Sequence, residues 1–190
     1  MEFFKEGFFH ITDWEGYDHM LFLFCLAAGL YWEHWKRLIA MATAFTVGHS
    51  ITLALSVLDQ VAFSSDLIEL LIPTTIVLTA LVRFFRKEES QGWPVVVMVG
   101  FFGLIHGLGF STYLKMMISD TNERVGLLFF FNLGVEAGQL VILGVLLSLH
   151  TLLRKALQLK MPLLRKGELI LAIGISLFLI IQKVLESTEV

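Results

Sequence analysis

The stretch 126–149, GLLFFFNLGVEAGQLVILGVLLSL, carries a single ionisable side chain, Glu136, in an otherwise apolar run. At about 1.5 Å per helical residue it covers the roughly 30 Å of a bilayer core, whereas a barrel strand needs only about 10 residues. Five more apolar stretches accompany it, and the six read as spans over 17–32, 38–58, 67–85, 95–114, 126–149 and 167–185. The 190 residues are 56% hydrophobic and 16% charged, with a mean hydropathy of +0.77. A soluble domain is nearer ~45–50% apolar and ~25% charged. The expected fold is all-α: one integral membrane domain over 1–190, a bundle of six transmembrane helices joined by short polar loops. A net charge of −3 argues against nucleic acid as a partner, and the lone Cys25 excludes an internal disulfide. No internal repeat marks an inverted-repeat transporter.

Local signals set the ends. Thr12-Asp13-Trp14-Glu15 has capping-box spacing before the first span, Ser64-Ser65-Asp66 precedes the third, and Asp120-Thr121-Asn122 the fifth. The N-terminus MEFFKEGFFH is acidic and aromatic, unlike a cleaved signal peptide, and suits a short segment lying in the membrane interface. Of the 14 Lys and Arg, Lys5, Lys115, Arg124 and Lys183 fall on the N-terminal side. The others, Lys36, Arg37, Arg83, Arg86, Lys87, Arg154, Lys155, Lys160, Arg165 and Lys166, fall on the opposite side. The basic side faces the cytoplasm, so both termini are expected outside. Trp32, Trp35 and Trp93 sit at the predicted inner boundary and Trp14 at the outer one, as interface anchors.

An ionisable group inside a span costs ~2.5–3.5 kcal/mol on insertion scales and needs a partner or a wet cavity. Asp18, His19, His49, Glu69, His106 and Glu136 are such groups. Although the spans alternate in direction, every one of them falls in the outer half or near the midplane. Asn132, Glu136 and Gln139, at i, i+4 and i+7, form a polar stripe, and Thr46 shares a face with His49. Gly103 and Gly107 flank His106 and permit close helix approach. Pro73 frees the backbone carbonyl of Glu69. His34 and His150 lie at the inner boundary and read as solvated, and the inner halves of the spans read as almost wholly apolar.

Three imidazoles and carboxylates at one depth suit a divalent transition metal, Ni²⁺, Co²⁺, Zn²⁺ or Fe²⁺. Cys25 and Met116-Met117 are not arranged for Cu(I). The expected metal residues are His19, His49, His106, Asp18 and Glu136, with Glu69 a weaker candidate and Asn132, Gln139 and Thr46 in support. The bland alternative is that each His is interhelical hydrogen-bonding glue, and that Asp18 and Glu69 only favour helix N-termini. Four helices contributing at one depth weigh against it.

The segments GYDHMLFL (16–23), FTVGHSITL (45–53), FGLIHGLGF (102–110) and FNLGVEAGQ (131–139) resemble the HupE/UreJ family of small bacterial membrane proteins. The resemblance covers most of the chain and points to its broader HupE/UreJ-like branch. It implies a multi-pass protein of the bacterial inner membrane, a nickel or cobalt permease role, and a hydrogenase or urease maturation context. In hydrogenase-linked members a histidine precedes the Asp-His pair with five residues between. Here His10 precedes Asp18 with seven between, and it joins the metal candidates on that resemblance. Those members also carry two histidines in the fourth-span motif, where this chain has only His106.

Three functional classes follow. A metal permease would capture a divalent cation from outside. An intramembrane zinc-type hydrolase would use Asp18 or Glu136 as general base on a lipid-like substrate. A scaffold would bind no metal. The expected topology is tested by thiol labelling of intact cells: a cysteine at position 2 should react with an impermeant probe and one at position 87 should not. The reverse pattern rejects it.

Overall fold

The computed structural model describes residues 2–13, 16–86, 92–111, 114, 124–158 and 160–188. They form an all-α fold with seven principal helices. These are α1 (Glu2–Thr12), α2 (Tyr17–Ala27), α3 (Trp35–Val57), α4 (Ser65–Phe85), α5 (Trp93–Gly109), α6 (Arg124–Leu157) and α7 (Met161–Thr188). Among the described residues four stretches are long and apolar enough to cross a membrane: Trp32–Val57, Ser65–Phe85, Gly126–Ala156 and Pro162–Ser187. α2 and α5 are apolar but shorter. The start signal at Asp120–Asn122, Trp14, Glu15, Lys87, Lys115 and Met116-Met117 lie outside the described residues.

The first expected span, 17–32, stops early. α2 ends at Ala27, and Gly29 turns the chain with φ +69°, a backbone conformation that a residue with a Cβ rarely adopts. Eleven residues span only about 16 Å, half a bilayer core. The N-terminal segment differs too. α1 does not lie across the end of the bundle; it packs lengthwise on α6, burying Gly7 and Ile11. A Cβ on Gly7 would land on the Phe131 carbonyl, and one on Gly134 on the Phe4 carbonyl, so the two backbones touch. Thr12, read as a helix start, closes α1 instead and donates its hydroxyl to Phe8 O at 2.9 Å. Ser64 does cap α4, accepting from the Leu67 amide at 3.4 Å.

Contacts fix the directions. α6 and α7 are joined through 158–160 and meet at His150 and Glu168, so they are antiparallel. α7 meets α4 at Lys183–Asp66 and again at Arg165–Arg86, which makes those two antiparallel and sets α4 parallel to α6. Gly134 lies by Phe4 and Gly138 by Ile11, so α1 runs with α6. Asp18 and Glu69 line one cavity while Ala28 meets Arg83, so α2 runs with α4. α1 and α2 therefore follow one another in the same direction, as two halves of a broken helix. The two halves meet closely: a Cβ on Gly16 would strike the His10 carbonyl.

α3 and α5 pack backbone against backbone. Gly48, Gly103 and Gly107 press on the backbones of Gly100, Phe45 and His49, and Thr52 donates across to Leu104 O at 2.7 Å. Small residues at such crossings replace the hydrophobic drive that lipid does not supply. Gly103→Val should force α3 and α5 apart and destabilise the purified protein by about 1–3 kcal/mol. Gly144, with open space around its Cα, should accept alanine. Thermal aggregation in detergent checks both, and equal melting of the two variants contradicts the packing.

Candidate metal centre

The break between α1 and α2 places His10 at the end of one half-helix and Asp18-His19 at the start of the next. α3 supplies His49 and α5 supplies His106, positioned by the same glycines that bring those helices together. Ring centroids lie 4.8 Å apart for His10–His19, 5.1 Å for His19–His106, and 6.0 Å for both His10–His49 and His19–His49. Phe45 stands 5.1 Å from the His106 ring and Phe110 3.9 Å from that of His10. His49 and His106 are fully buried.

The tautomers follow from hydrogen-bond accounting. Asp18 Oδ1 accepts from the His19 backbone amide at 2.7 Å and from His19 Nδ1 at 2.8 Å. A carboxylate only accepts, so Nδ1 carries the proton and Nε2 the lone pair. Thr75 gives its one hydroxyl proton to Ile72 O at 2.7 Å, so the 3.0 Å contact with His106 Nε2 is a ring N–H donated to Thr75. The His106 lone pair then sits on Nδ1. Those two nitrogens, together with His10 Nε2 and both nitrogens of His49, are buried without a hydrogen-bond partner. Asn132 approaches the His49 ring without completing a well-formed hydrogen bond.

Two donor groups result: His10, His19 and His49, and Asp18, His19 and His106. Within each, one donor atom per residue lies within 4.8 Å of the others. Small side-chain adjustment would let such donors reach one ion at about 2.0–2.2 Å. Unpartnered imidazole nitrogens in a buried cluster fit a borderline transition cation, and the Asp18 carboxylate behind His19 is the usual partner that orients such a ligand.

Among the sequence candidates, His19 therefore occupies the pivot. His49 and His106 both reach it, but no single group among the described residues contains all three. His10, offered only by the resemblance, stands with them. Glu136 is in neither group; its Oε1 accepts from Thr43 at 2.6 Å, and Gln139 Oε1 from Thr46 at 3.0 Å. The stripe of α6 thus faces α3 through these threonines. Glu69 turns to Lys183 at 2.6 Å. A cavity of about 440 Å³ opens onto the cluster between Glu6, Asp13, Asp18 and Glu69, with His10, His19 and His106 at its wall. Sequence reasoning missed Thr75, whose only signal was its place two residues beyond Pro73.

A family model described as HupE / UreJ protein matches residues 1–182. No curated protein and no solved structure matches the chain.

Thr75→Val and Asp18→Ala remove the groups that fix the His106 and His19 tautomers. Each should weaken Ni²⁺ or Co²⁺ binding about 10–100-fold in calorimetric titration. Unchanged affinity in both would mean that these rings hold no ion.

Proposed function

The chain belongs to the HupE/UreJ family, and from that membership and the donor set we propose that it is a divalent transition-metal permease of the bacterial inner membrane. Its cargo is of the nickel or cobalt type, and a hydrogenase or urease maturation context comes with the family. The observation that carries the reading is the set of buried, unpartnered imidazole nitrogens beneath a mouth of four carboxylates. The acidic mouth concentrates cations. The imidazoles then replace water around the ion with neutral donors, a set that selects transition cations over Mg²⁺ or Ca²⁺.

The topology proposed with it is one integral membrane unit with both termini outside. α3–α7 supply five crossings, and α1 with α2 make the sixth as a discontinuous one. A site at the break of a discontinuous helix, near mid-membrane, is a recurrent solution for ion carriers, because half-helix ends expose polar groups that an unbroken helix keeps to itself.

A second reading has its own support. A side groove of about 250 Å³ between α2, α4 and α7 shares Asp18, Glu69 and Ile72 with the main cavity and runs along Tyr17, Leu179 and Gln182. Such an opening suits an intramembrane zinc-type hydrolase acting on a membrane-embedded substrate.

Proteoliposomes with a metal-sensing dye inside separate the two. Wild type should accumulate Ni²⁺ or Co²⁺, while His49→Ala and His106→Ala should lose binding and accumulation together and still purify folded. Binding without accumulation across a divalent series rejects the permease and advances the hydrolase. No binding by wild type rejects both.

A further inference from the structure

The end of the bundle opposite the cavity holds a second polar cluster. His150, on α6, is 1% exposed, and Arg83, on α4, is fully buried. His150 Nδ1 lies 2.7 Å from the Leu30 carbonyl and Nε2 lies 2.7 Å from Glu168 Oε1, on α7. The other Glu168 oxygen accepts the Gly29 amide at 2.8 Å, and Arg83 Nη2 donates to Ala28 O at 2.9 Å.

Proton counting makes this cluster informative. A carbonyl only accepts, so Nδ1 must carry hydrogen. A neutral His150 would then face an ionised Glu168 lone pair to lone pair at 2.7 Å. The contact is favourable only when one further proton lies between Nε2 and Oε1. We propose that His150 and Glu168 together form a proton-binding site, and that its proton fastens the inner end of α2 to α6 and α7. Release leaves neutral His150, ionised Glu168 and one free H⁺, with no other bond made or broken. It also turns the 2.7 Å contact from attraction to repulsion.

What the proton holds is the turn at 28–30. That turn caps α2, and the far end of α2 carries Asp18 and His19. An eleven-residue helix is a rigid strut of about 16 Å, so the two sites lie at the ends of one element. The charged and titratable groups around the pair are Arg83 from α4, Glu168 and Arg165 from α7, Cys25 from α2, and Tyr31 with Arg154 at the rim. A connection to metal uptake rests on the permease reading; the proton site does not.

Metal-free, full-length protein in nanodiscs tests it. At a pH where free Glu and His are both deprotonated, wild type should show either a doubly protonated imidazole by ¹⁵N NMR or a carboxylic-acid C=O stretch by infrared. Glu168→Gln should abolish that signal, because its amide donates to a neutral ring and still accepts from Gly29. Cys25, the chain's one cysteine, is buried in α2 one turn before that end and reports opening. As pH rises, its labelling by a water-soluble maleimide should increase several-fold more in wild type than in Glu168→Gln, where the tie does not titrate. The negative charge that Glu168 keeps and Gln lacks would slow thiolate labelling in wild type, so it cannot produce the expected excess. Absence of both spectroscopic signals, or equal labelling of the two proteins at every pH, overturns the proposal. Failure of Ni²⁺ accumulation with these signals intact rejects the permease alone.

Discussion

A buried imidazole has two nitrogens and, when neutral, one proton. The protein can satisfy the N–H side with Asp18 or Thr75, but the lone pair on the other side must then find a donor or a cation. Burying a polar group without a partner costs roughly 1–3 kcal/mol on protein scales. His10, His19, His49 and His106 all carry that cost in one place. The surrounding architecture serves to sustain it: the glycine contacts of α3 with α5 and of α1 with α6 fix the helices that carry His49, His106 and His10.

The broken helix is the second consequence. An unbroken helix at this position would present one face to the centre. Two half-helices present an end and a start, so His10 and His19 approach within 4.8 Å although nine positions separate them in sequence. The break has an electrostatic cost, since the positive end of α2 points toward a cation site. Asp18 in its first turn offsets that field and holds the His19 tautomer at the same time. One carboxylate thus does two jobs, and its place directly beside His19 in the chain is what allows both.

Much of the centre was legible from depth alone. The agreement of His19, His49 and His106 at one level required only span counting, and the family segments added His10. Rotation was not legible. The stripe Asn132–Glu136–Gln139 has the right depth, yet Glu136 and Gln139 meet Thr43 and Thr46 of α3, and Glu136 lies in neither donor group. The length of the first span failed for another reason. Its apolar run continues through Leu30, and only Gly29 marks the turn that ends α2. His150 was misread because span ends normally reach solvent; here the 28–30 turn folds under α6 and α7 and draws it inward. A local pattern cannot report a contact made across 120 residues.

The two polar clusters differ in a way that bears on transport. At the cavity end the donors are mostly neutral and lack partners, so an arriving cation gains ligands without displacing protein hydrogen bonds. At the opposite end Arg83, Glu168 and His150 each bond the backbone of one turn, and the buried arginine is a fixed positive charge that opposes a passing cation. Such an end is closed by both its bonds and its charge. On the permease reading, an ion passes only when the turn at 28–30 leaves Arg83, Glu168 and His150 together. The strut that would then move is α2, the same helix whose other end presents His19 as the pivot of both donor groups.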